Sequence, residues 1–337
     1  MVLVPDLDRQ RAKFAPPARR ALLGDDRRII IVGARGWIGR TAVTLLHEAL
    51  GPAAFARRVH CFGSQAGPVF AGPLEVQQRA LGDLATLDRR PTLLLHLAFL
   101  TMDSYATMDA GEYVNANRAL SRSVFDALTQ INVDRLFVAS SGAAAFADDA
   151  DAAEGMRCYG LLKREDETKF AAWATEMPDA RRAAIGRIYS LSGPYINKHE
   201  TYALASFILD ALAGRPIEVR APMRVMRSYT AVRELLSLVF SCLLARDGDS
   251  VLRFDTGGEG LELGEVATVV ANTLGGEVVR RAVQDMAANR YFGDGCGWSA
   301  LLEHHGIEPL ALADQILETA AYLARQAALK STTVDGL

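Results

Sequence analysis

Residues 28–39 read RIIIVGARGWIG, and the RTAVTLLHEAL that follows carries apolar residues at helical spacing. The β-branched run from Ile29 to Val32 is the signature of a strand buried on both faces. A strand that passes through three glycines straight into a helix is a strand–turn–helix unit. In such a unit Gly33 permits the tight turn, Gly36 lets the backbone approach a pyrophosphate, and Gly39 lets helix and strand pack closely. The helix start, with Arg35, Trp37 and Ile38 in and beside the turn, offers free N–H groups and a positive dipole end to phosphates. Strands and helices alternate to about residue 190, which predicts a doubly wound parallel α/β sheet, with the later segments building a smaller lobe.

Composition closes off other classes. The chain has 337 residues, half of them hydrophobic, with a net charge of −3 and a pI near 6.1. That is an ordinary globular profile, without a basic field for nucleic acid. No apolar run reaches the ~20 residues of a membrane helix. Cys61, Cys158, Cys242 and Cys296 are scattered with no Cys-x-x-Cys pair, and the six histidines show no ligand spacing, so no metal site is expected. The cysteine pattern and the absence of a signal core near the N-terminus predict a reducing, cytoplasmic setting. Residues 1–27 read as a partly flexible N-terminal arm and 331–337 as a tail. The dinucleotide-binding domain is expected over 28–190, with 226–245 returning to it, and a mainly substrate-binding lobe over 191–330.

A second feature is CYGLLK at 158–163. Tyr159 and Lys163 are four apart, so on a helix a phenol and an ammonium lie on one face. A nearby cation favours phenolate and lowers a phenol's pKa, which makes the pair an acid/base candidate.

Taken together, the segments resemble the extended short-chain dehydrogenase/reductase family, the nucleotide-sugar epimerase/dehydratase group. Gly33-x-x-Gly36-x-x-Gly39 resembles its first turn. Gly82-Asp83-Leu84 is similar to the family's Gly-Asp-Leu, LLLHLAF at 93–99 to its fourth-strand ending with Phe99 in place of an alanine, and Asn117 to its helix asparagine. LFVASSG at 136–142, Tyr159, Lys163 and Glu167, and IGRIYSLSGP at 185–194 follow in the family's order. So do FILDALAGRPIEV, Arg227-Ser228-Tyr229, Val232 to Leu235, and the segments at 254–276 and 307–323. The resemblance covers roughly residues 28–325.

The resemblance implies a Rossmann-like fold, a homodimer built on helices near 112–130 and 159–176, and a nicotinamide cofactor. Gly33, Arg35, Gly36, Trp37, Ile38, Gly39, Ser64, Asp83, Leu84, Leu97, Ala98, Tyr159 and Lys163 would line that cofactor. Tyr159 would be the acid/base, Lys163 would lower its pKa and hold the nicotinamide ribose, and Ser141 would steady the reacting oxygen. Ser140 is the alternative hydroxyl. Ser141, Ser190 and Arg227 would meet the substrate, Arg227 at its diphosphate. No acid ends the second strand, where Gly63-Ser64 stand, so both NAD and NADP are open; family frequency leans to NAD. Arg57 and Arg58 precede that strand.

The family's dehydratases carry an Asp-Glu pair after the strand-5 hydroxyl residue. This chain reads Ser141-Gly142-Ala143-Ala144. The expectation is therefore hydride chemistry without elimination: a nucleotide-sugar epimerase working through a transient ketone. An NADPH-dependent carbonyl reductase is the alternative, and a non-catalytic dinucleotide-binding sensor the second.

Overall fold

A computed structural model describes residues 13–199 and 201–334. The described part of the N-terminal arm begins with helix α1 (Pro16–Leu23), followed by β1 (Arg28–Val32) and α2 (Trp37–Arg58). Then come β2 (Val59–Gly63), the hairpin β3 (Gly67–Ala71) and β4 (Leu74–Ala80), β5 (Thr92–His96), α3 (Met102–Tyr105) and α4 (Ala110–Gln130). Next are β6 (Val133–Ser141), α5 (Glu154–Thr175), β7 (Arg182–Ile188), β8 (Ser190–Ser192), α6 (Ala203–Leu212), β9 (Ile217–Val219), β10 (Met223–Arg227), β11 (Tyr229–Ala231) and α7 (Val232–Leu244). The chain ends with β12 (Val251–Asp255), β13 (Leu261–Glu262), α8 (Leu263–Leu274), β14 (Val278–Arg280), β15 (Asp285–Tyr291), α9 (Gly295–His304) and α10 (Leu312–Val334).

Eight strands form the main sheet in the order β12-β7-β6-β5-β1-β2-β4-β3, all parallel except the edge strand β3. All five residues of β1 are buried, as expected of a strand covered on both faces. Alternate side chains feed two cores. Ile29 and Ile31 join Leu45, Leu46 and the α7 residues Leu235, Leu238 and Val239 on one side. Ile30 and Val32 join Val124, Leu128, Phe170 and Trp173 of α4 and α5 on the other. The chain runs outward from β1 through β2 to β4, then crosses to β5 on β1's other side. That reversal opens a crevice at the carboxyl ends of β1 and β5, where such sheets bind ligands.

The second lobe has its own core, built from Leu204, Phe207, Ile208, Val266, Val270, Ile316 and Leu323 of α6, α8 and α10. The stretch 226–245 divides between the two bodies. Met226 and Arg227 end β10 in the lobe's three-stranded sheet, whereas α7 packs beneath the main sheet. Val251–Asp255 also returns to the main sheet, as β12 beside β7. The arm from Phe14 to Leu22 packs against α7: Phe14 meets Phe240 edge-on at 5.2 Å, and the Ala15 N–H donates to Ser237 Oγ at 2.9 Å. Among the described residues no helix is long and apolar enough to cross a membrane.

Candidate active site

The first turn is tight because three backbones meet there. Gly33 has φ +100°, donates its N–H to the Phe62 carbonyl at 2.8 Å, and has the Ala98 backbone where a Cβ would go. A Cβ on Gly39 would meet the Gly33 carbonyl oxygen at 2.3 Å. At Gly36 the nearest atom to a Cβ is 3.4 Å away, so space lies open in front of the α2 N-terminus, which has no side-chain cap. Free N–H groups facing open space suit a diphosphate. The buried indole N–H of Trp37, in that first helical turn, has no partner among the described residues. Ile38, by contrast, packs against the core. These features fit a dinucleotide cofactor.

The remaining cofactor candidates lie along the same edge. Leu97 and Ala98 follow β5, and the Leu97 N–H donates to the Val32 carbonyl at 2.9 Å. Asp83 is exposed and Leu84 buried, in the 3₁₀ turn Leu81–Thr86 after β4. Gly63 ends β2, with the Gln78 side chain filling the space beside it and Ser64 exposed beyond. Arg35 reaches across to the carbonyls of Pro68 (3.2 Å) and Ala66 (3.4 Å), putting a cation near that tip. Arg58 is occupied elsewhere. It is buried and donates to the carbonyls of Arg27 and Leu22 at the opposite end of the sheet.

Ser141 ends β6, and Tyr159 and Lys163 project from α5. A Cβ on Gly160 would meet the Ala143 carbonyl oxygen at 2.2 Å, so only glycine lets α5 approach this close to the segment after Ser141. The two serines separate cleanly. Ser140 donates to Glu167 Oε1 at 2.5 Å, and Glu167 is held by Arg187 through two bonds of 2.8 Å. Ser141 faces the other way: its Oγ accepts the Ala143 N–H at 3.2 Å and lies 3.4 Å from the Tyr291 hydroxyl.

The Lys163 ammonium is buried, donates to the Ala139 carbonyl at 2.7 Å, and lies 3.7 Å from the centroid of the Phe99 ring. Burial pulls it down to about 8. Tyr159 moves opposite to the expectation drawn from its spacing to Lys163. Burial pushes its pKa up, with Tyr291 adding and only Ser141's hydroxyl opposing. The reason is geometric: the ammonium is 5.7 Å from the Tyr159 ring centroid and is spent on a carbonyl and another ring.

On the side of the second lobe, Arg227 donates to Met226 O and Asn289 Oδ1 and lies 5.7 Å over the Tyr291 ring. Ser190 is buried in β8, paired with Tyr229 of β11, and its hydroxyl offsets part of the upward push that burial gives Tyr202. Tyr291 and Tyr189 join the site without having been singled out by any sequence pattern. Their ring centroids are 5.0 Å apart, and Tyr291 stacks on Phe146 at 6.1 Å. No local signal marks them, since β15 reaches Ser141 only through the lobe's packing.

The sequence matches the NAD dependent epimerase/dehydratase family over residues 29–252. The chain belongs to this family. It is thus an enzyme of the extended short-chain dehydrogenase/reductase type, using a nicotinamide dinucleotide. No curated relative matches the sequence significantly. Among solved structures it is similar to the UDP-glucose 4-epimerase of Thermus thermophilus in complex with NAD (22% identity, TM-score 0.62, 88% of this chain and 98% of that one). It is similar too to an epimerase of Methanothermobacter thermautotrophicus (14%, 0.66, 93% and 97%) and to the dTDP-glucose 4,6-dehydratase of Streptomyces venezuelae (17%, 0.62, 90% and 98%). At these identities the likeness is one of fold.

Proposed function

We propose that the protein is an epimerase of a nucleotide sugar, working through a transient ketone with NAD. The observation that carries this is the crowding at Gly142. A Cβ there would meet the Tyr189 ring at 2.4 Å, so the place where an eliminating carboxylate would follow Ser141 is already filled. Ala143 and Ala144 supply no acid either. Hydride chemistry without loss of water is what the remaining groups support.

Bound nicotinamide supplies the acceptor and source of hydride. The chain's own residues do the rest. Tyr159 exchanges a proton with the hydroxyl at the reacting carbon. Ser141 donates to that oxygen as it becomes a carbonyl. Lys163, its ammonium 5.7 Å from the Tyr159 ring, holds the nicotinamide ribose in this reading. Arg227 offers a planar fork to a diphosphate. A homodimer through the outer faces of α4 and α5 is part of this reading, supported by the exposed Leu161 on α5. A cytoplasmic setting is supported by four free cysteines.

The second reading, an NADPH-dependent carbonyl reductase, is favoured by Arg35 beside the acid-free tip of β2 and by the protonated Tyr159 phenol, which suits a proton donor. One experiment separates them. Incubation with UDP- and dTDP-hexoses in D₂O, followed by proton NMR, should give the inverted sugar without deuterium at the inverted carbon. Net consumption of NADPH with a carbonyl compound and no inversion would replace the epimerase with the reductase. A 4-keto-6-deoxy product would overturn the inference from Gly142.

A further inference from the structure

Behind Lys163 lies a cluster of ionisable groups that none of the steps above uses. Neither close contact of the ammonium, the Ala139 carbonyl or the Phe99 ring, carries a full negative charge. A buried ammonium without a counter-charge loses its proton. Three residues along α5, Asp166 is 3% exposed and accepts from Ser121 Oγ of α4 at 2.6 Å. It stands 3.8 Å from His96 Nε2 of β5 and 3.8 Å from the partly exposed Lys169 ammonium.

The groups facing Lys163 can be counted by element. Its own helix gives Asp166, Glu167 and Tyr159, β5 gives His96, and β6 gives the Ala139 carbonyl. Arg187 of β7 binds Glu167 in a two-bonded pair and cancels most of its field. Burial pushes the His96 pKa down, while Asp166 at 3.8 Å pulls it back up. Burial pushes Asp166 up, but His96, Ser121 and Lys163 together outweigh that and leave it below the usual carboxylate range. Among the described residues Asp166 is the buried carboxylate one helical turn from Lys163 that makes no hydrogen-bonded ion pair, since its cationic neighbours His96 and Lys169 both stand off at 3.8 Å.

We propose that Asp166 is a positioning residue that acts through Lys163, its carboxylate keeping the ammonium charged beside Tyr159. This rests on Tyr159 and Lys163 being the reacting pair. The rival role is purely structural, since the Ser121–Asp166 bond also ties α4 to α5. Two substitutions tell them apart: Asp166→Asn removes the charge, whereas Ser121→Ala breaks the same bond and keeps the charge.

The chain has five lysines, Lys13, Lys163, Lys169, Lys198 and Lys330, so ¹³Cε-lysine NMR resolves them, with Lys163→Arg assigning the signal. In the wild type the Lys163 midpoint is expected near 8. In Asp166→Asn it should fall by about one unit, a tenfold loss of ammonium above the new midpoint. Ser121→Ala should leave it within about half a unit. An unmoved midpoint in Asp166→Asn, or an equal fall in both variants, overturns the proposal. Should Asp166→Asn not fold, Lys163→Met reads the same coupling from the other end. The Asp166 carboxyl should then titrate about one unit higher by ¹³C NMR, and no change there also overturns it. These midpoints need no substrate. Failure of the epimerase reading leaves them unchanged, and failure of the Asp166 role leaves the effect of Tyr159→Phe on turnover unchanged.

Discussion

Two glycines of the first turn look alike in the sequence and differ in the structure. A Cβ on Gly39 would press on the Gly33 oxygen at 2.3 Å and Ala34 Cα at 2.7 Å, both backbone atoms with little freedom to yield. Gly39→Ala should therefore cost about 1–3 kcal/mol in urea unfolding, as overpacking does, and weaken cofactor binding with it. Gly36 has only one neighbour at 3.4 Å and an ordinary φ of −71°. Gly36→Ala should leave stability within about 0.5 kcal/mol. It should nonetheless lower cofactor affinity by roughly tenfold or more, because the new methyl stands in front of the uncapped α2 N–H groups proposed to take the phosphates. Equal losses of stability in the two variants, read in the same melt, would contradict the division. At the proposed reacting pair, Tyr159→Phe should cut turnover at least about 100-fold while isothermal titration still shows the cofactor bound. Retained turnover would move the acid/base role elsewhere, with Tyr291 the first residue to examine. At this scale the sequence was readable where a fixed local pattern sets the geometry: Gly33 takes the positive φ of its turn, and Tyr159 and Lys163 share one helix. It was unreadable where a side chain comes from another lobe: nothing near Tyr291 announces that its hydroxyl reaches Ser141.

Among the elements, β1 and β5 were legible because their residues are buried on both faces and nothing else explains such continuous apolar runs. The β3–β4 hairpin and the short strands of the lobe were not, since their residues alternate irregularly and their pairing depends on partners far along the chain. Helix α1 is the clearest case. PPARRALL falls in the stretch read as a partly flexible arm, with Pro16 and Pro17 at its start and Arg19 and Arg20 behind them. Prolines are tolerated there because the first helical N–H groups have no partner anyway. What makes the segment a helix is α7, which offers Phe240 and Ser237 more than 200 residues later. Phe14 is 4% exposed, so Phe14→Ala should cost about 3–5 kcal/mol in chemical denaturation. Because α1 lies on the α7 side, away from Tyr159, the folded fraction should keep its cofactor affinity. A cost under about 1 kcal/mol would show that α1 is a loosely held arm.

For the molecule as a whole, the burial that shapes the site also sets how stability responds to pH. Lys163 has a folded pKa near 8 against a reference of 10.5. Below 8 both states carry the proton, and the folded state bears the full cost of a buried ammonium. Between 8 and 10.5 the unfolded chain binds the proton and the folded chain does not, so this residue's contribution to stability rises with pH. The shift corresponds to roughly 3 kcal/mol at most. Buried thiols and phenols act in the opposite direction. Cys61 and Cys242 are pushed up to about 12, and Tyr159, Tyr202 and Tyr229 are pushed up as well, all by burial. Each holds its proton in the folded state after the unfolded chain has lost it. Stability from these groups is complete below their unfolded pKa values and falls as pH rises above about 8.5 for thiols and 10 for phenols. The absolute curve should thus decline at high pH, and the lysine contribution emerges only as a difference. Wild-type unfolding free energy minus that of Lys163→Met should climb between pH 7.5 and 10, by about 2–3 kcal/mol, while both curves turn down. A flat difference would mean that Lys163 titrates as an ordinary surface lysine. The ammonium would then not be confined between Ala139 and Phe99, and its closeness to Tyr159 would lose its physical basis.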